Sequence, residues 1–280
     1  MATSHRSRGH TLIELVIAMV VMGVVGAAIV RLIVVESRLF QAQDASQEAR
    51  KVARAAVNLL TSELRMVEVS AGVTAASATS ITVRIPYAIG IVCASGTIST
   101  MPVDSLMFAQ ATISGYAWRD NVGAYTYVTS GASAGAGSAG NCTGASITTL
   151  TGGKVVSLSP ALPSGAKVGN PVFLFQTVTY SFAASTLLPG RRGLYRAVAN
   201  SAGVSSAAEE IAAPFDSATT RFKFFVLNAD TAQSAVPASL ADIRGIELAL
   251  TGASRQTPRG RTTPKTVATT NAVFFQNRLN

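Results

Sequence analysis

Between residues 12 and 66 the chain contains no proline, and residues 15–35 are apolar at every position except Arg31. As an α-helix rising 1.5 Å per residue, those 21 residues extend ~31 Å, about one hydrocarbon core. Glu14 stands at the head of this run, in Thr11-Leu12-Ile13-Glu14-Leu15-Val16-Ile17. A carboxylate in a bilayer-length helix costs about 2.5–3.5 kcal/mol on insertion scales, so its presence calls for a partner and a purpose. No small-x-small cleavage site follows the apolar run, and the pattern reads on as helix, unlike an ordinary secretory signal. Arg6 and Arg8 precede the run and predict a cytoplasmic amino end with the rest of the chain outside. Arg31 lies close enough to the far end to reach the headgroups.

The helix is expected to continue to residue 66. From 36 onward apolar residues recur at three- and four-residue steps: Leu39, Ala42, Ala49, Val52, Ala53, Ala56, Leu59, Leu60 and Leu64. Glu36, Arg38, Asp44, Glu48, Arg50, Lys51 and Arg54 fall mostly off that stripe. The first half is thus hydrophobic all round and the second on one face. Such a helix can lie in a bilayer, later pack against sister helices, and hold a globular domain on its distal half.

After Glu68 the pattern becomes short β-prone runs separated by Gly, Ser, Thr and Pro. Strands are expected at 80–85, 105–113, 124–129, 154–158, 172–182, 193–198, 221–227, 245–251 and 267–276. Residues 244–276 read as a terminal hairpin with a basic, proline-broken tip, and 130–144 as a loose Gly/Ala/Ser-rich loop. The fold class is therefore α+β, a long amino-terminal helix packed on a carboxy-terminal antiparallel β-rich domain. Only 13% of the chain is charged and nearly half is apolar, which suits an anchored or extracytoplasmic protein better than a cytosolic enzyme.

The net charge is +9 and unevenly spread: residues 121–208 and 251–280 each carry five Lys or Arg and no Asp or Glu. Arg191, Arg192, Arg255, Arg259, Arg261 and Lys265 are the candidate basic surface, whose alternative to a solvated face is weak contact with DNA phosphates. Cys93 and Cys142 permit one disulfide in an exported body, with two buried thiols as the alternative. Catalysis has little support. The only histidines are His5 and His10, so the body offers no base for a Ser-His-Asp or Cys-His site. Its carboxylates are too scattered for a metal site, and Glu209-Glu210 reads as an exposed turn pair. No catalytic residue, metal or cofactor is expected.

The segment Arg8-Gly9-His10-Thr11-Leu12-Ile13-Glu14-Leu15 resembles the cleavage and methylation segment of type IV prepilins and type II secretion pseudopilins. The resemblance implies a pilin-like fold and processing by a prepilin peptidase, which cuts after Gly9 and N-methylates the new terminus at His10. It also implies that Glu14 registers an incoming subunit by pairing with the terminal amine of a neighbour. The implied organisation is a leader at 1–9, a transmembrane half-helix at 10–35, an amphipathic half-helix at 36–68, and a periplasmic or extracellular body at 69–280. Softer resemblances to PilW-type minor pilins and J-type minor pseudopilins lie in Val178-Thr179-Tyr180-Ser181, Gly193-Leu194-Tyr195-Arg196, 243–250 and the ending at 273–280. They imply a minor subunit that helps initiate or cap a filament, with other pilins or pseudopilins as partners and the inner membrane as its first location. A DNA-binding subunit of an uptake pilus and a major pilin are the alternatives.

Overall fold

The structure, a computed structural model, describes residues 12–120 and 123–275. Helix α1 spans Leu12–Leu64, 53 residues without interruption. The body is built from strands β1 (Val73–Ala76), β2 (Ser80–Ala94), β3 (Thr97–Thr100), β4 (Gly115–Arg119), β5 (Tyr125–Val128), β6 (Ser133–Ala136) and β7 (Val155–Ser159). It continues through β8 (Pro171–Ala184), β9 (Arg192–Ala199), β10 (Glu209–Phe215), β11 (Arg221–Val226), β12 (Ile243–Ala253) and β13 (Thr266–Phe274). Two short helices, α2 (Ser105–Gln110) and α3 (Ala139–Gly144), lie between β2 and β8 in the chain. Every strand pairing is antiparallel, and the organisation is α+β, a long apolar helix followed by a large sheet domain.

The sheet is organised about the β2–β8 ladder, which runs from Ser80↔Ser181 to Ile91↔Pro171. Each end of the ladder is flanked by different strands. At the first end β1 pairs with β2 and β9 with β8; at the second, β3 pairs with β2 and β4 with β8. Consequently β9 and β4 share one edge of β8, and the sheet forks between Phe175 and Thr177. Buried Ser114 stitches the fork: its hydroxyl accepts the Thr177 N–H at 2.6 Å and donates to the Ala199 carbonyl.

Two cores follow from this fork. The first gathers Ala56, Leu60 and Leu64 of α1 with Ile81 and Val83 of β2, Val178 and Tyr180 of β8, and the inward residues of β9 to β13. The second lies in the lobe inserted between β2 and β8, around Ile98, Tyr116, Trp118, Val156, Leu158 and Leu174. A smaller aromatic cluster, Phe173 and Phe175 with Tyr125 and Tyr127, adjoins them.

The helix rests on β10, β12 and β13 through Ala45, Ala49, Ala53, Ala56, Leu60 and Leu64, spaced four, four, three, four and four residues apart. That spacing keeps all six on one helix face. Fully burying Leu60 or Leu64 contributes about 1.5–3 kcal/mol each. The alanines permit close approach: a Cβ on Gly252 of β12 would fall 2.1 Å from the Ala49 carbonyl oxygen. The helix ends at Leu64, two residues before the expected 66. There Glu68 folds back and its carboxylate accepts the Ser70 and Ala71 N–H groups at 2.7 and 2.9 Å, turning the chain toward β1.

Several sequence expectations need correction. Residues 105–113 do not form a strand: Ser105–Gln110 is helical, with Asp104 as N-cap accepting the Met107 N–H at 2.8 Å. The stretch 130–144 is not loose, since β6 pairs with β7 and α3 carries Cys142. Leu39, on the predicted apolar stripe, is exposed, and Ala45, outside that stripe, is buried. Glu209 and Glu210 open strand β10 rather than occupying a turn.

Candidate functional site

The body covers only the distal part of α1. Every residue from 12 to 40 is exposed, a length of ~43 Å, and burial begins with Ala45. An 18-residue window of this portion has a mean hydropathy of 2.6, long and apolar enough to cross a membrane. Glu14 lies in the first described turn among exposed Leu12, Ile13, Leu15, Val16 and Ile17. Gly9 and His10, the expected processing residues, lie outside the described residues.

The six candidate basic residues fall in two places. Arg255, Arg259, Arg261 and Lys265 belong to the β12–β13 hairpin tip, while Arg191 lies in the β8–β9 turn and Arg192 opens β9. The loops approach one another at the helix, where Leu187 and Leu188 share a recess with Lys51 and Arg255. Arg255 grips the helix twice, its Nε 3.3 Å from Glu48 Oε1 and its N–H donating to Glu48 Oε2 at 3.1 Å. Cys93 at the end of β2 is disulfide-bonded to Cys142 of α3, closing a separation of 49 residues within the inserted lobe.

Three polar clusters were not anticipated from sequence. In the first, buried Glu68 accepts from the Tyr127 hydroxyl at 2.9 Å, and the Arg84 guanidinium lies 4.4 Å from the Tyr127 ring centre while donating to the Ala71 carbonyl. Burial, then the nearby Glu68 carboxylate, pushes the Tyr127 phenol far above its usual range, so it remains a donor. Burial also lowers the Arg84 pKa, partly offset by Tyr127 and Glu68. This cluster joins the exit of α1 to β5 of the inserted lobe. In the second, burial opposes ionisation of Glu210, but hydrogen bonds from the Ser185 hydroxyl, the Thr186 hydroxyl and N–H, and the Tyr195 hydroxyl outweigh it. They hold the carboxyl at about 2. In the third, Glu63 of α1 meets Arg196 of β9 at 3.5 Å, and burial raises the Glu63 pKa despite that cation. The partners in each cluster are far apart in sequence, so periodicity gives no signal for them. The hydroxyl pair Ser185-Thr186 before a turn is the nearest to one.

These clusters bind the body together; the feature that faces outward is the uncovered helix. Residues 4–30 match the family model described as the prokaryotic N-terminal methylation motif. Neither a curated protein nor a solved structure matches the chain. The motif supports a type IV prepilin-like protein, and the apolar helix near the amino terminus fits the inner-membrane anchor of a prepilin. It also implies processing by prepilin peptidase and assembly with other pilins.

Proposed function

We propose that this protein is a minor pilin or pseudopilin, a structural subunit rather than an enzyme, which helps initiate or cap a type IV pilus or type II secretion pseudopilus. The observation that carries the reading is the methylation motif running on into a helix left bare over residues 12–40. So large an exposed apolar surface needs lipid at first and sister helices afterwards. In this reading the leader is 1–9, the membrane half of the helix 10–35, the amphipathic half 36–68 and the periplasmic or extracellular body 69–280. Peptidase cleavage after Gly9 exposes the His10 amine, which is then methylated. The amine of one subunit pairs with Glu14 of its neighbour, and two opposite charges in an apolar setting attract far more strongly than in water. The resemblance to PilW-type and J-type subunits favours a minor role over a major one.

Mass spectrometry of the mature amino terminus tests the processing: the expected product begins at methylated His10, and functional protein retaining Met1–Gly9 would reject it. Glu14→Leu tests assembly. Incorporation into filaments is expected to be lost while membrane insertion persists, and unchanged incorporation would reduce the protein to a tethered periplasmic domain.

A further inference from the structure

The tip of the β12–β13 hairpin returns to the helix where the apolar run stops. Its sequence, Ser254-Arg255-Gln256-Thr257-Pro258-Arg259-Gly260-Arg261-Thr262-Thr263-Pro264-Lys265, holds four cations and no carboxylate. Pro258 is buried in a cleft against Gln41, Asp44 and Ala45. Pro258, Arg259, Gly260 and Arg261 border a groove whose other wall is Val35, Arg38, Leu39 and Ala42. Two anchors hold the tip there: the double contact of Arg255 with Glu48, and the Arg259 N–H donating to Gln41 Oε1 at 3.4 Å.

Val35 is the last residue of the apolar run, so the tip sits at the level where the helix leaves hydrocarbon. Arg31 lies four residues inside that boundary, ~6 Å along the axis, and Arg38 three residues outside it. Among the described residues Arg38, Arg259 and Arg261 are exposed and form no ion pair. Of the acids on this part of the helix, Glu48 is engaged by Arg255, while Glu36 and Asp44 enter no ion pair among the described residues and offset part of the positive charge. The result is a patch of three guanidinium groups lining one groove beside the helix, at the end of its apolar run.

We propose that Arg38, Arg259 and Arg261 form a contact surface for anionic phospholipid, which holds the body against the membrane before the subunit enters a filament. The proposal rests on the reading of residues 15–35 as membrane-inserted. Guanidinium groups match phosphate with paired hydrogen bonds. Each cation near an anionic surface strengthens attachment roughly fivefold, so three give on the order of 100-fold. Zwitterionic headgroups carry no net charge and supply little of this attraction. Duplex DNA would meet the same cations by phosphate contact, but nothing in the fold aligns a duplex with the tip, whereas the helix brings it to a membrane.

Hydrogen exchange on the full chain in lipid nanodiscs tests this. With about 30% phosphatidylglycerol in phosphatidylcholine and low salt, peptides over 254–265 should exchange several-fold more slowly than in pure phosphatidylcholine. About 0.5 M salt should erase the difference by screening. The double variant Arg259→Glu/Arg261→Glu should lose it too, while peptides from β2 and β8 stay protected, as a folded body requires. Equal exchange of the tip in both discs, with 15–35 protected, would overturn the lipid contact and leave the membrane reading standing. Slowing of the tip by a DNA duplex but not by phosphatidylglycerol would overturn it in favour of nucleic acid. Failure of the chain to co-purify with either disc would remove the membrane reading and the contact together.

Discussion

Replacing Gly252 with alanine should loosen the helix from the sheet, by an amount that can be worked from the structure. The added Cβ would stand 2.1 Å from the Ala49 carbonyl oxygen, 3.1 Å from its carbon and 3.3 Å from the Ala53 Cβ. Carbon approaches a carbonyl oxygen to about 3.3 Å, so relief requires a displacement of more than 1 Å. The obstructing atom is helix backbone, which no rotamer change can move. Overpacking of this kind costs about 2–3 kcal/mol, toward the upper end of its usual range. Against that, alanine reduces the freedom of the unfolded chain and returns about 0.4–1 kcal/mol. Gly135→Ala provides the control, because it shares the entropy gain and its Cβ meets nothing within 4 Å. The difference between the two variants should therefore be about 2–3 kcal/mol, or ~4–12 °C in Tm for a body of this size. Thermal unfolding of the full chain in detergent, followed by circular dichroism, measures it. Ala53→Gly should rescue little, since it removes only the outermost of the three contacts. Equal melting of the Gly252 and Gly135 variants would refute the close docking of α1 on β12.

Tyr127→Phe keeps the ring beneath Arg84 but removes a donor to Glu68, whose remaining bonds come from Ser70 and Ala71; a loss of about 1–2 kcal/mol in urea unfolding is expected. An unchanged midpoint would mean that the inserted lobe does not brace the helix exit. The Glu210 carboxyl, depressed to about 2 when folded, contributes stability that is complete above the unfolded value near 4.5 and fades as pH falls toward 2. The gap in denaturation midpoint between wild type and Glu210→Gln should accordingly be wide at about pH 6 and narrow at about pH 3, and a gap independent of pH would contradict the hydrogen-bonded carboxylate. Cys93→Ser with Cys142→Ser opens a 49-residue separation and should remove about 4 kcal/mol from the inserted lobe in the chain-entropy model. Limited proteolysis should then cut within residues 95–170 before it cuts α1, and an unaltered cleavage map would argue against a bracing role.

The helix was legible because its signal is redundant: an apolar run without proline, then a three- and four-residue stripe on the same continuous segment. The docking face is offset from the stripe that helical period predicts. Leu39 has the right phase, but the body does not extend that far, so helical period alone could not say where burial starts. Sequence places strand β2 at 80–85, and Pro86, just beyond, cannot donate to a ladder. In the fold β2 continues to Ala94 by placing the proline at a register shift between Pro86 and Ala88. Residues 105–113 misled through their apolar content, whereas Asp104 carried the decisive cue as a helix cap. Strand β10 was missed because Glu209 and Glu210 are charged. Glu210 tolerates its place only because Ser185, Thr186 and Tyr195, distant in the chain, surround its oxygens. Of the outward-facing residues, Glu14 could be singled out from sequence by its apolar neighbours. The encounter of the hairpin tip with Val35 and Arg38 could not, because it depends on how far β12 and β13 extend along the helix.

The long central ladder has a mechanical consequence. A tug on the far lobe enters β2 and β8 at the same end of their ladder, so the two strands carry it along their axes together and the eleven residue pairings between them are not peeled apart. Two spars fastened along their length share such a load, and the sulfur bridge keeps residues 93–142 from unspooling beyond them. In the proposed role at the end of a fibre, such a body would pass a load from lobe to helix without opening its central ladder.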